Sequence, residues 1–199
     1  MKTFIQSHKA NIETIFDIKN SNKLVIVCHP NTIEGGNFSS KVVYIAIKAA
    51  KELGLSSIKF NFRGAGNSSG VYSNGVNEKE DLKAVIQYAK KFSKEVILIG
   101  FSFGAYIVSE VSCDYGILNP CLIAPAINKW IFNKEIIKFN PFIIYGESDQ
   151  IIGKNQIEFF FKKTNKLMVL EASHFFDGKL KNLYAGIYKY LEEQIRFVK

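Results

Sequence analysis

The sequence predicts a three-layer α/β/α sandwich built on a mostly parallel central sheet. Three observations carry that expectation. Short runs such as Leu24-Val25-Ile26-Val27-Cys28 and Val96-Ile97-Leu98-Ile99 are apolar throughout, the pattern of strands buried on both faces. Segments with apolar residues at helical spacing alternate with these runs, which argues for parallel strands covered by helices on both sides. Finally, Gly100-Phe101-Ser102-Phe103-Gly104 sits between an apolar run and the helical stretch Ala105–Val111, as a tight strand-to-helix turn does.

The elements follow in order. Residues 3–7 and 12–18 alternate as two short antiparallel strands, joined near Lys9-Ala10-Asn11. Leu24–Cys28 is a buried strand; Pro30 stops its ladder, and Gly35 and Gly36 permit unusual backbone geometry beyond it. Residues 38–53 read as a helix with Val42, Val43, Ala46, Ile47, Ala50 and Leu53 inward, ended by Gly54. A strand at 57–62 leads into a long loop. Asn77, with Glu80 three residues on, resembles a helix N-cap, and Leu82, Val85, Ile86 and Ala89 form that helix's apolar face. After the Ser102 turn, Phe103, Ile107, Val108 and Val111 share one helical face. Then come an apolar run near 117–124, a segment around 128–140 and a strand at 141–146. A helix at 154–163, a strand at 167–170 and a C-terminal helix from about Lys179 complete the chain. In the last helix Leu183, Ile187, Tyr190, Leu191 and Ile195 face inward.

A length of 199 residues suits one domain spanning 1–199, and 47% hydrophobic with 14% aromatic residues describes a chain that buries a core. The formal charge of +8 is spread along the chain with no long basic run, so a basic solvated surface is expected and no nucleic-acid groove. Cys28, Cys113 and Cys121 make an odd count without metal-ligand spacing; reduced thiols, a cytoplasmic location and no metal are expected. The first residues lack a signal-peptide core, and no apolar stretch reaches membrane-spanning length.

The chemistry centres on Ser102. In a strand-to-helix turn the two backbones run close together, so the positions two before and two after the serine must be small, as Gly100 and Gly104 are. The serine is held strained with its hydroxyl above the sheet, and the Phe103 amide is free to bind an oxyanion. A serine hydroxyl needs a base. Of His8, His29 and His174, only His174 follows the serine and an acid in the chain order this turn implies. Asp149, just past a strand, is the preferred acid, with Glu147 second; Asp177 is near His174 only in sequence. Asn31 is the first choice for a second oxyanion donor because Pro30 has no N–H, and Thr32 is the second. His29 and Trp130 are the candidate substrate contacts. His29 also suits a brace for its loop, and Trp130 suits either an acyl-pocket wall or a cover for the sheet edge. Arg63-Gly64-Ala65-Gly66 is not a dinucleotide fingerprint, because the third glycine is misplaced and no helix opens there. Arg63 is expected to tie its loop to Glu78 or Asp81.

Taken together, Cys28-His29-Pro30 with Gly35-Gly36, Phe60-Asn61-Phe62-Arg63-Gly64, Glu78 with Asp81, the Ser102 pentapeptide, Tyr145-Gly146 with Asp149, and His174-Phe175-Phe176 resemble the α/β-hydrolase superfamily. Among its members they look most like the small bacterial hydrolases related to dienelactone hydrolases and short-chain carboxylesterases. Asn31, where that pattern has a second histidine, and Asn77, where it has glycine, depart from it. The resemblance implies a Ser102–His174–Asp149 triad and a serine esterase or thioesterase that forms an acyl-enzyme without cofactor. The other readings are a non-catalytic scaffold used as a binding module, or a peptidase. Lids in this fold enter after the strand that follows the serine's helix. Here the space between Ile123 and Pro141 allows only a minimal one, which predicts an open cleft and short acyl groups.

Overall fold

The computed structural model describes residues 1–196; the last three positions of the expected 1–199 domain lie outside the described residues. Eight strands form one sheet in the order β1-β2-β4-β3-β5-β6-β7-β8. They are β1 (Lys2–Ser7), β2 (Ala10–Asp17), β3 (Lys23–Cys28), β4 (Ser56–Phe60), β5 (Glu95–Phe101), β6 (Cys121–Ile123), β7 (Phe142–Gly146) and β8 (Lys166–Val169). The pairs from β4 through β8 are parallel, while β2 runs antiparallel to both β1 and β4. The predicted sandwich is the observed fold. Every residue of β3 is buried, as its unbroken apolar run requires for a strand with helices on both sides.

Among the described residues five α-helices cover the sheet: α1 (Lys41–Glu52), α2 (Glu78–Ala89), α3 (Phe103–Tyr115), α4 (Lys154–Phe160) and α5 (Leu180–Arg196). Helix α1 packs against α5, and α2 against α3. Helix α4 joins the α3 side through Phe160, whose ring meets Phe132, which in turn meets Tyr106 of α3. The predicted inward faces are buried in α2 and α3; in α1 Ile47 and Leu53, and in α5 Ile195, are only partly covered.

Several local expectations change. The β1–β2 hairpin closes at Ser7 opposite Ala10, so the turn is His8-Lys9, with Lys9 in the left-handed region at φ 53°. Helix α1 starts at Lys41 and not at 38, because the Asn37 side chain accepts from the Ser39 N–H and Asn61 Oδ1 accepts from the Phe38 N–H. These bonds hold the backbone in a turn until Ser40. Asn77 precedes α2 without a side-chain cap. The Glu78 carboxylate instead accepts from the Ser73 N–H and hydroxyl and the Gly75 N–H, each at 2.8 Å, which closes the preceding loop onto the helix. Arg63 pairs with Asp81: its Nε–H and its own backbone N–H each donate to Oδ2 at 3.0 Å, and both side chains are buried. Between β6 and β7 the only regular element is a 3₁₀ turn, Lys134–Phe139, so the cover over the sheet edge is as small as expected. Among the described residues no helix is long and apolar enough to cross a membrane.

Candidate active site

Because β3, β5, β7 and β8 are parallel, the loops that leave them gather at one edge of the sheet. Asn31 follows β3, Ser102 follows β5, Asp149 follows β7 and His174 follows β8. At the first residue of the turn Ser102 adopts φ 55° and ψ −113°, a conformation costing about 1–3 kcal/mol for a residue with a side chain. The surroundings enforce it. The Ser102 N–H donates to the Ile123 carbonyl at 2.9 Å, and the Ser102 carbonyl accepts from Ala105 at 3.0 Å. A Cβ on Gly100 would collide with the Gly104 carbonyl, and one on Gly104 with the Cys28 carbonyl. Only glycine lets strand, turn and helix approach this closely.

Ser102, His174 and Asp149 form a continuous hydrogen-bonded line. The Ser102 hydroxyl lies 3.0 Å from His174 Nε2, and His174 Nδ1–H donates to Asp149 Oδ2 at 2.8 Å. The acid's other oxygen, Oδ1, accepts from the Ile151 N–H at 2.9 Å and the Ile152 N–H at 3.1 Å. These bonds hold the carboxylate in place and leave Oδ2 for the ring. All three groups are buried, at 4–7% exposure. The Ser148 N–H donates to the Ala172 carbonyl and Glu147 N–H to Val169, which stitches the acid's loop to the histidine's. The rings of Phe101 and Phe175 flank the imidazole at 5.3 and 5.1 Å.

The alternative acids point elsewhere. Glu147 accepts from the Glu171 N–H and faces Lys154, while Asp177 is exposed and pairs with Lys41 at 2.8 Å. Among the described residues, the N–H groups of Phe103 and Asn31 have no hydrogen-bond partner. The Asn31 carbonyl accepts from Glu34 and Gly36, and its side chain from Ile33, so the loop is a closed turn. Thr32 has its hydroxyl buried without a partner, and its methyl group lies against Gly64.

Neither of the two expected substrate contacts, His29 and Trp130, is among the residues lining the Ser102 cavity. His29 is fully buried, its Nδ1–H donates to the Pro30 carbonyl at 2.6 Å, and its Nε2 accepts from the Phe62 N–H at 2.9 Å. Burial, partly opposed by the Pro30 bond, pushes its pKa down to about 4, so the ring is neutral. It is the brace for its loop. The Trp130 ring stacks on Tyr106 and tilts against Phe103, and its Nε1–H donates to Asn74 at 3.0 Å.

The cavity at Ser102 has a volume of about 130 Å³ and is lined by Pro30, Asn31, Glu34, Gly35, Gly36, Ser40, Ser102, His174 and Phe175. Of these, Asn31, Ser102 and His174 are expected from the sequence as site residues, Pro30, Gly35, Gly36 and Phe175 only as motif neighbours, and Glu34 and Ser40 not at all. Adjacency to His174 pointed to Phe175; a glutamate in a polar turn carries no comparable signal. A larger groove of about 750 Å³ runs between β8 and α5, but it lies away from the serine, and chemistry locates the site better than size does. Cys28, Cys113 and Cys121 are free thiols, and burial raises the pKa of each, so none is an activated nucleophile. Among the described residues no cluster of three or more side chains suits a metal ion.

No family model matches the chain. It is similar to an alpha-beta serine hydrolase homologue from Coxiella burnetii, 32% identical, over 96% of this chain and 97% of that one, with a TM-score of 0.86. It is also similar to a lidless serine hydrolase of the same class from Xanthomonas campestris, at 26% identity, 98% and 94% coverage and a TM-score of 0.87. An uncharacterized protein of Rickettsia prowazekii is 28% identical over 84% of this chain and 78% of its own length. The chain therefore belongs to the α/β serine hydrolase family, and its function is that of a hydrolase.

Proposed function

We propose that the chain is a serine hydrolase that cleaves a small ester or thioester through an acyl-enzyme. The observation that carries this reading is the continuous line from Ser102 through His174 to Asp149, set on a strained turn. Neutral His174 has its proton on Nδ1, bonded to Asp149, and so presents a lone pair on Nε2 to the serine hydroxyl. As the Ser102 oxygen attacks the carbonyl carbon, Nε2 takes its proton. The tetrahedral oxyanion is held by the N–H groups of Phe103 and Asn31. When the intermediate collapses, His174 returns the proton to the departing alcohol or thiol. A water then repeats the sequence on the acyl-enzyme and releases the acid. Asp149 stabilises the imidazolium in both halves.

The chain acts as a single domain on a small molecule, needs no cofactor, and works in the cytoplasm with its thiols reduced. A peptidase reading lacks any separate gating element between β6 and β7 to support it. A binding-module reading leaves the strained turn and its ordered histidine without purpose.

The test is fluorophosphonate labelling of wild type and Ser102→Ala, alongside hydrolysis of a short p-nitrophenyl ester. The wild type is expected to label and turn over. The variant, which removes one oxygen, is expected to do neither while keeping its thermal midpoint within a few degrees. Label retained on the variant would move the nucleophile to another residue.

A further inference from the structure

The wall of the Ser102 cavity carries one carboxylate among its described lining residues, Glu34. Glu34 ends the turn Thr32–Glu34, which the Gly36 N–H closes onto the Asn31 carbonyl at 2.9 Å, so its position is set by the same loop that presents the Asn31 N–H. Its cation partner comes from across the cleft. Lys129, in the segment after β6, reaches Glu34 Oε1 at 2.9 Å. Both side chains are substantially exposed, 39% for the lysine and 53% for the glutamate. Such a pair is worth little in water, and a competing cation exchanges with the lysine at small cost. The glutamate's field also reaches beyond its partner: the Tyr72 hydroxyl is raised in pKa first by burial and then by the charges of Glu78 and Glu34.

A second exposed pair, Lys41 with Asp177 at 2.8 Å, does not line the cavity. Glu34, paired with Lys129, is therefore the acidic residue on the cavity wall. The cavity's volume of about 130 Å³ is small. A substrate group that reaches Glu34 thus stays close to the scissile carbonyl.

We propose that Glu34 sets substrate charge: the site takes short esters bearing an ammonium group near the scissile carbonyl, which displaces Lys129, and disfavours those bearing a carboxylate there. This rests on the serine-hydrolase reading above. The ammonium stands on either the acyl or the alcohol side, and the test separates the two.

The experiment measures kcat/KM for two matched pairs of esters. Ethyl β-alaninate against ethyl butanoate places the ammonium on the acyl side, and dimethylaminoethyl acetate against isoamyl acetate places it on the alcohol side. Monoethyl succinate is the anionic probe. Each cation-to-neutral ratio is taken within one variant, so changes in overall activity cancel. In wild type, at least one ratio is expected at about threefold to tenfold at low salt, falling toward one as salt is raised, with monoethyl succinate slower than ethyl butanoate. Glu34→Gln should lower that ratio by about threefold to tenfold, whereas Asp177→Asn, which removes an equally exposed carboxylate, should leave it unchanged. Ratios of one in wild type, a ratio that survives in Glu34→Gln, or an equal fall in Asp177→Asn would each overturn the proposal. Failure to turn over any of the five esters, cationic, neutral or anionic, would overturn the hydrolase reading and this inference with it.

Discussion

Asp149 holds His174 with one oxygen and two backbone amides with the other. Asp149→Asn separates these duties. The asparagine oxygen still accepts from Ile151 and Ile152, so the loop stays folded. Its NH₂ group then faces Nδ1 and shifts the imidazole proton to Nε2, where it points at the serine. On the proposed assignment, kcat is expected to fall by about 10⁴ with little loss of stability. A fall of tenfold or less in steady-state assays would exclude Asp149 as the orienting acid. In the sequence Asp149 and Glu147 are two carboxylates of one loop, and nothing local ranks their directions. The ranking comes from the Ile151 and Ile152 amides, which turn one side chain toward His174, while Glu147 lies over the Glu171 amide. His29 shows the converse. As a histidine after a strand it reads as a site residue, yet both ring nitrogens are committed to backbone groups.

The N-terminal hairpin is joined to the loop after β4 by a buried charge. Glu13 on β2 pairs with Lys2 of β1 at 2.6 Å and accepts from the Asn61 side chain and from the backbone and side chain of Asn67. Asn61 in turn accepts from the Phe38 N–H, so this network also fixes the approach to α1. Burial alone would raise the Glu13 pKa; the Lys2 ammonium and the Asn67 and Asn61 donors outweigh it and bring the carboxyl down to about 2 from 4.5. A depressed acid stabilises the fold above its unfolded pKa. That contribution, on the order of 2–3 kcal/mol, is lost as pH falls from about 4.5 toward 2. Buried neutral His29 has the same sign at higher pH: its stabilisation is present above about 6.5 and declines as pH falls toward 4. Urea midpoints between pH 7 and pH 2.5 should show both phases. Glu13→Gln is expected to be less stable at pH 7 by roughly 2 kcal/mol and to lose only the more acidic phase. Parallel curves for the two proteins would show that Glu13 does not titrate in this range.

Over the whole molecule, the shortness of the β6–β7 connection governs what the site encloses. The 3₁₀ turn packs on α3, and among the described residues no α-helix lies between β6 and β7, so little apolar wall is available beyond the cavity itself. Across p-nitrophenyl esters of increasing length, kcat/KM is expected to peak between acetyl and roughly hexanoyl, since longer chains gain no further burial. An optimum at about twelve carbons or more would require a tunnel or a moving cover. Trp130→Ala should leave that profile unchanged and lower stability by about 1–3 kcal/mol, because the indole packs on Tyr106 and Phe103 and is absent from the cavity wall.

Short-range physics is legible in a sequence. Unbroken apolar runs specify strands buried on both faces, helical spacing specifies which face of α2 and α3 turns inward, and the Gly100–Gly104 spacing specifies a turn that only a strand-to-helix junction needs. From these came the sandwich and the smallness of the cover. What the folded chain alone decided depends on pairs far apart in sequence. Asn61 meets Glu13 across 48 residues, and Lys129 meets Glu34 across 95. The Asn61 bond that delays α1, the burial of His29 against Phe62 and the packing of Trp130 on Tyr106 and Phe103 were set in the same way. A polar side chain has several partners of similar strength within reach, and local sequence does not distinguish them. Packing chooses one by removing water from the rest, so that the surviving partner carries the full electrostatic cost of burial.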